Sequence, residues 1–340
     1  MQPVKGISVI TPSFNQAPFL DKCILSVKRM GPKVIEHIIL DPGSTDGSLE
    51  IARSYKHLTL INEKDSGQSD AINKGFGLAK GEIVGWLNSD DEYCDGILED
   101  VLNRFNQLDC PDIVYGKGHF VDENGGFLRE AYVNPKPESL KESFKKSVGI
   151  LQPSLFFRRS SLQKLGFLDQ GLNYCMDYEF WIRASKLNFK FAYLNKNLSL
   201  ARYYPNNKTL GERGKSLDET SRMCKSQYGF VHKFWIESLA QFNLYGKDGI
   251  LNNVTKESSG DIKEEMRKIA KLFNSDEECF KLLQSANLGT PEYETFLFMK
   301  NLQISPYAEA TNVKEPSLLL KLVFGLKSPR SLLRRILCRS

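Results

Sequence analysis

The chain offers little for thiol or disulfide chemistry. Its seven cysteines, at positions 23, 94, 110, 175, 224, 279 and 338, include no CxxC pair and are odd in number. That argues against a disulfide framework or a cysteine zinc site and fits a reducing cytoplasm. No apolar run approaches the ~20 residues that span a bilayer. Met1 is followed by Gln2-Pro3-Val4-Lys5-Gly6 and then a strand-like run, so no secretory signal is expected. Internal repeats and low-complexity blocks are also absent. So is a basic excess in the body of the chain. From Ser317 to Ser340 there are Lys321, Lys327, Arg330, Arg334, Arg335 and Arg339 and no acid, which leaves 40 basic against 41 acidic residues elsewhere. A net charge of +5 concentrated in that tail excludes a general nucleic-acid footprint. With 41% apolar and 26% charged residues, a core of ordinary size is expected.

What is present is an alternation of short apolar runs with helical patterns. Strands are expected at Ile7–Thr11, Ile35–Leu40, Leu58–Asn62 and Glu82–Leu87, with helices at Pro18–Met30, Ser48–Tyr55 and Gln68–Lys80 between them. Gly81 stands where a helix-ending glycine belongs. This alternation predicts βαβ units and a mostly parallel sheet. Further on, Asp95–Phe105 reads as a helix, Ile113–Tyr115 and Ser154–Phe157 as strands, and Glu123-Asn124-Gly125-Gly126 as a hairpin turn. Tyr178–Leu187 reads as a helix, followed by two short strands at Phe189–Leu194 and Leu198–Tyr203. From about Gly211 the pattern is helical.

Ligands of open α/β sheets bind outside the carboxyl ends of the strands. Three polar clusters fall there: Thr11-Pro12-Ser13-Phe14-Asn15, Asp41-Pro42-Gly43-Ser44-Thr45-Asp46-Gly47 and Asn88-Ser89-Asp90-Asp91-Glu92. Carboxylates can accept from a base or ribose, and adjacent ones can hold a divalent cation with a diphosphate. Such a cation would also relieve the repulsion among three neighbouring acids.

The stretches ISVITPSFNQAPFLDKCILSV, EHIILDPGSTDGSLEI, EKDSGQSDAINKGFGLAKGEIVGWLNSDDEY, LQPSLFFRRSSLQKLGFLD and MDYEFWIRA stand in the order and spacing of the family 2 glycosyltransferases. The chain resembles that family over about residues 5 to 230. The resemblance implies a GT-A type, Rossmann-like, mixed and mostly parallel α/β sheet flanked by helices. It implies a nucleotide-sugar donor, Mg²⁺ or Mn²⁺, and usually inversion at the anomeric carbon. Asp90 and Asp91 inherit the metal–diphosphate role, Asp41 the nucleoside contact and Asp177 that of catalytic base. Pro12, Phe14, Asp70, Asp90 and Lys208 are further candidates for the donor, and Gln152 and Glu179 for the acceptor.

Three positions depart from the family pattern. Pro42 replaces a second aspartate after strand two, Asn88 stands where many members have aspartate, and no histidine lies near Tyr203-Tyr204. Plainer roles compete at several sites. Asp90–Glu92 could be a solvated turn, with Glu92 a bystander in either reading. Asp41 could cap a loop, and Asp177 could serve only as a helix cap. Asp70 divides between donor contact and capping, and Lys208 and Arg213 between the diphosphate and ordinary surface charge. A helix N-terminus favours an ionised carboxylate at Asp177. Glu179, two residues on, points elsewhere on that helix.

The expected organisation is a GT-A domain at 1–210, a helical extension at 211–316 and a basic amphipathic tail at 317–340. The tail interleaves apolar with basic residues, as segments attracted to an anionic membrane surface do. A helix docked on the domain is its other reading. The expected function is inverting transfer from a nucleotide-diphosphate-sugar to a hydroxyl of a saccharide or lipid-linked acceptor. The expected setting is cell-surface polysaccharide assembly in the cytoplasm or on the inner face of the membrane. The alternatives are a degenerate member that binds without turnover, or a sugar-phosphate nucleotidyltransferase. The latter normally needs a glycine-rich, arginine-containing loop after strand one, which TPSFNQAPF lacks.

Overall fold

The structure is a computed structural model and describes Val4, residues 6–246 and residues 259–274. The expected tail at 317–340 lies outside the described residues. Strands β1 (Ile7–Pro12), β2 (Val34–Leu40), β3 (Leu58–Ile61) and β4 (Ile83–Trp86) pair in parallel in the order β3-β2-β1-β4. They are connected by helices α1 (Ala17–Arg29), α2 (Ser48–Ser54) and α3 (Gln68–Leu78). Strands β1 and β4 are buried along their whole length, which is why they read as continuous apolar runs.

Gly81 does not end α3, which stops at Leu78. Its role is close approach: a Cβ there would stand 2.5 Å from the Ser8 nitrogen. Its N–H donates to Ser8 Oγ at 2.7 Å, docking the turn before β4 onto β1.

The second half of the sheet is mixed. It comprises β5 (Glu92–Tyr93), β6 (Ile113–Val121), β7 (Phe127–Glu130), β8 (Leu155–Arg158) and β9 (Phe191–Arg202). Helix α4 (Leu98–Phe105) lies between β5 and β6 in the chain, followed later by the short helices α5 (Leu140–Ser143) and α6 (Leu162–Leu165) and by α7 (Met176–Lys186). The sheet order is β3-β2-β1-β4-β8-β6-β9-β5, with β7 added to β6. Here only β6 and β9 run parallel; β4/β8, β8/β6, β6/β7 and β9/β5 are antiparallel.

Two short strands were expected where β9 forms one. The polar run Asn195-Lys196-Asn197 breaks the apolar alternation, yet the chain absorbs it as register shifts against Gly116–Gly118. The two-residue β5 has no apolar pattern of its own and was not anticipated.

After β9 come α8 (Lys208–Gly211), α9 (Arg213–Tyr228), α10 (Lys233–Tyr245) and α11 (Ser259–Phe273). Leu217, Cys224, Trp235, Ile236 and Ile269 join one buried cluster with Ile10, Trp86 and Phe157 of the sheet. Across the described residues, the expected units 1–210 and 211–316 share a core. No helix of the described residues is long and apolar enough to cross a membrane.

Candidate active site

A cavity of about 1390 Å³ opens at the carboxyl ends of β1 and β4. Among its lining residues are Pro12, Phe14, Asp90, Asp91, Gln152, Asp177 and Lys208. The acidic loop after β4 is therefore joined to the first turn of α7, across about 90 residues of chain. Asp41, Asp70 and Glu179 do not line it.

Each of those three has its oxygens taken up elsewhere. Asp41 is 2% exposed and accepts four hydrogen bonds: from the backbone N–H of Gly43 (3.0 Å) and Ser44 (2.7 Å), and from the hydroxyls of Ser44 (2.7 Å) and Ser13 (3.2 Å). Four is about what a carboxylate can accept, so this one builds the loop after β2. Asp70 accepts from the Ser66 N–H at 3.0 Å and pairs with Lys74 at 3.2 Å in the first turn of α3. The Ser66 bond, with Lys74 beside it, holds its carboxyl below the usual range. Glu179 is locked to Arg183 one turn on, at 3.0 and 2.7 Å.

Asn88 is a junction. Its Oδ1 accepts from the Trp86 indole (3.0 Å) and the Gln68 amide (3.1 Å), while its Nδ2 donates to Gln152 Oε1 (3.1 Å). The indole can only donate, which fixes the orientation of the Asn88 amide. Gln152 in turn donates to the Trp86 carbonyl at 2.8 Å. An aspartate at 88 would have nothing to give Gln152.

Burial pushes the carboxyls of both Asp90 and Asp91 upward, and the charge of Asp90 pushes Asp91 further. Asp91 is 6% exposed and accepts from the Arg202 N–H at 2.8 Å. Asp90 accepts from the Tyr204 hydroxyl at 3.3 Å. The guanidinium of Arg202, buried beside them, is committed elsewhere. It pairs with Glu92 at 2.6 Å and donates to the carbonyls of Asp90, Asp122 and Glu123. Glu92 is therefore the anchor of Arg202 rather than a bystander.

Among the described residues no group of three or more His, Cys, Asp or Glu is placed to hold a metal ion. Asp90 and Asp91 still fit one as a pair. They are adjacent oxygen donors, Asp91 buried and Asp90 half-buried, whose mutual repulsion Arg202 only partly offsets, a set suited to a hard divalent cation that takes its other ligands from a diphosphate and water.

Asp177 occupies the first turn of α7, where its Oδ1 accepts from the Tyr178 N–H at 2.8 Å. A helix N-terminus was expected to favour ionisation, but the balance goes the other way. Burial, against the Tyr178 bond and with help from Glu219, pushes the carboxyl up to about 6. Glu219 on α9 accepts from three successive backbone N–H groups, those of Asn173 (2.9 Å), Tyr174 (2.6 Å) and Cys175 (3.0 Å). It fixes the turn that delivers Asp177. Lys208 donates to Gln68 at 3.0 Å and lies 5.5 Å from the Tyr174 ring, reaching across the cavity mouth. Sequence reasoning missed Arg202 and Glu219. A lone arginine in the apolar run LSLARYY was a usable signal for the first, whereas Glu219 sits in an ordinary polar helix face.

The sheet and the acid-lined cleft at its carboxyl edge define a GT-A type glycosyltransferase fold. Residues 8–166 match the family model described as Glycosyl transferase family 2. An uncharacterized glycosyltransferase of Rickettsia typhi is 30% identical over 207 residues, covering 56% of this chain and 63% of the relative. The chain thus spans less than two thirds of the length of that relative. An uncharacterized glycosyltransferase of Bacillus subtilis, EpsJ, is 26% identical over 262 residues, 72% of this chain and 71% of the relative. Among solved structures, S. aureus TarS 1–349 in complex with UDP-GlcNAc superposes with a TM-score of 0.56 at 16% identity, covering 88% of this chain and 92% of that one.

Proposed function

We propose that this chain transfers a glycosyl group from a nucleotide-diphosphate-sugar to a hydroxyl of a saccharide or lipid-linked acceptor, with inversion at the anomeric carbon. The observation that carries the reading is Asp177, a carboxyl raised to about 6 that opens on the same cavity as Asp90 and Asp91. A base with that pKa is largely ionised at neutral pH, yet holds a proton better than an ordinary aspartate. That suits it to take the proton of an acceptor hydroxyl during attack, a contribution of about 10²–10⁴-fold. Asp90 and Asp91 would hold Mg²⁺ or Mn²⁺, which supplies Lewis-acid stabilisation of the departing diphosphate. Lys208 adds a positive charge at the cavity mouth, and the exposed ring of Phe14 gives the nucleoside a face to lie on. Cell-envelope polysaccharide assembly is the setting this reading suits. The basic tail at 317–340 supports peripheral association with the inner face of the membrane.

TarS was solved with UDP and with UDP-GlcNAc, so uridine diphosphate sugars are the first donors to try. In the presence of Mn²⁺ and an acceptor, wild type should release the nucleoside diphosphate. Asp177→Asn should bind the donor within about 2-fold of wild type and lose about 100-fold or more in kcat. A near-normal kcat would remove Asp177 as the base. Donor binding without turnover by wild type, on every acceptor tried, would favour the degenerate binding protein.

A further inference from the structure

The cavity extends past the acidic loop to a wall carried by β6, β7 and the end of β9. Phe120, Arg129, Ala131, Tyr132, Ala201 and Tyr203 line it there. The register makes this one row: Phe120 pairs with Arg129 across β6/β7 and with Ala201 across β6/β9. Arg129 lies over aromatic rings, its Cζ 4.3 Å from the centre of Phe120 and 5.9 Å from that of Tyr203. Among the described residues its guanidinium pairs with no carboxylate and donates to no carbonyl. The acid next to it in the chain, Glu130, is the register partner of His119 and so belongs to the opposite face of the ribbon. An arginine stacked in this way has its fork oriented in advance and its N–H edges free, the arrangement that favours bidentate capture of an anion.

The donor's own diphosphate is a poor match for this position. The acidic loop leads into β5, and β5-β9-β6-β7 places the backbone of Arg129 three strand spacings away, roughly 14 Å. Arg129 and Asp177 line the same cavity, so one acceptor could present a hydroxyl to Asp177 and an anionic group to Arg129.

Resting on the proposed glycosyl transfer, we infer that Arg129 and its aromatic platform form an acceptor subsite for a phosphate or carboxylate group, so that the acceptor is an anionic saccharide. Lys146 also lines the cavity and adds to its positive charge. Phe120 and Tyr203 supply apolar faces that suit a sugar ring beside the anion.

Three probes test this on the full chain with UDP and Mn²⁺ at saturation, so that the diphosphate end is filled: methyl glucoside 6-phosphate, methyl glucuronide and neutral methyl glucoside. Wild type should bind one of the anionic probes about 10-fold more tightly than the neutral one, as expected of a charge-assisted hydrogen-bonded pair. Which anion is preferred tells phosphate from carboxylate. Arg129→Gln should erase the preference while leaving the affinities for UDP and the neutral glycoside within about 2-fold, and Arg129→Lys should retain part of it. Equal binding of all three probes by wild type, or a preference that survives Arg129→Gln, overturns the subsite. The two readings fail separately. Loss of the subsite leaves transfer to neutral acceptors intact, and loss of the transfer reading leaves the anion preference measurable.

Discussion

A carboxyl raised to about 6 binds its proton more tightly in the folded chain than in the unfolded one, where an aspartate titrates near 3.9. The stability this confers is complete below the unfolded value and is lost as pH rises through about 6. At neutral pH the ionised Asp177 therefore costs the ligand-free protein stability. Asp177→Asn should raise stability in urea titrations at pH 7.5 by on the order of 2–3 kcal/mol, with the gain shrinking toward pH 4.5. A gain that does not change with pH would point to packing instead. Asp90 and Asp91 could be placed at the cavity from the sequence because their polar cluster follows the carboxyl end of a buried strand, whereas Asp177 was reached only through the family resemblance. Asp41, Asp70 and Glu179 looked equally eligible and proved to be spent on local backbone N–H groups and Arg183. A carboxylate just past a strand caps its loop as well as it meets a ligand, and only the paths of the neighbouring N–H groups decide which.

Among the elements, α9 has the most direct hold on the candidate chemistry. Glu219 collects three N–H groups of the turn before α7, and its charge adds to the burial that raises Asp177. Glu219→Gln removes that charge and can keep at most part of the hydrogen bonding. The acid limb of the kcat–pH profile should shift below about 6 in this variant. A limb that stays in place while kcat falls uniformly would mean the residue only holds the turn. The parallel βαβ elements were readable because buried strands and amphipathic helices carry different periods. β9 was read as two pieces because a bulge carries polar residues through a strand without ending it. β5 was invisible because two residues have no period.

At the scale of the whole molecule, the buried cluster runs from β1 and β4 through α7 into α9, α10 and α11. A chain ended at residue 210 would leave Tyr178 and its neighbours without Leu217, Cys224 and Trp235. Such a fragment should bind ANS and melt without a sharp transition, whereas the full chain melts cooperatively. A cooperative melt of the fragment with donor affinity retained would show that residues 1–210 are self-sufficient. The continuity was hidden in the sequence because helix faces show that they are buried, not what buries them.

The position of β9 also sets a timetable. It slots between β6 and β5, and its pairing of Glu92 with Leu200 closes a loop of more than a hundred residues. Contacts that distant form late and slowly, because the loop entropy is lost before the contact repays it. On a ribosome, β5 therefore emerges long before its partner exists. Arg202 is the last residue of β9, so Glu92 has no ion-pair partner, and the repulsion at Asp90 and Asp91 is not even partly offset, until the sheet is complete. The nascent chain would then complete the acidic end of its cavity only once β9 is made, and under the proposed function a chain cut short of β9 would hold no nucleotide sugar.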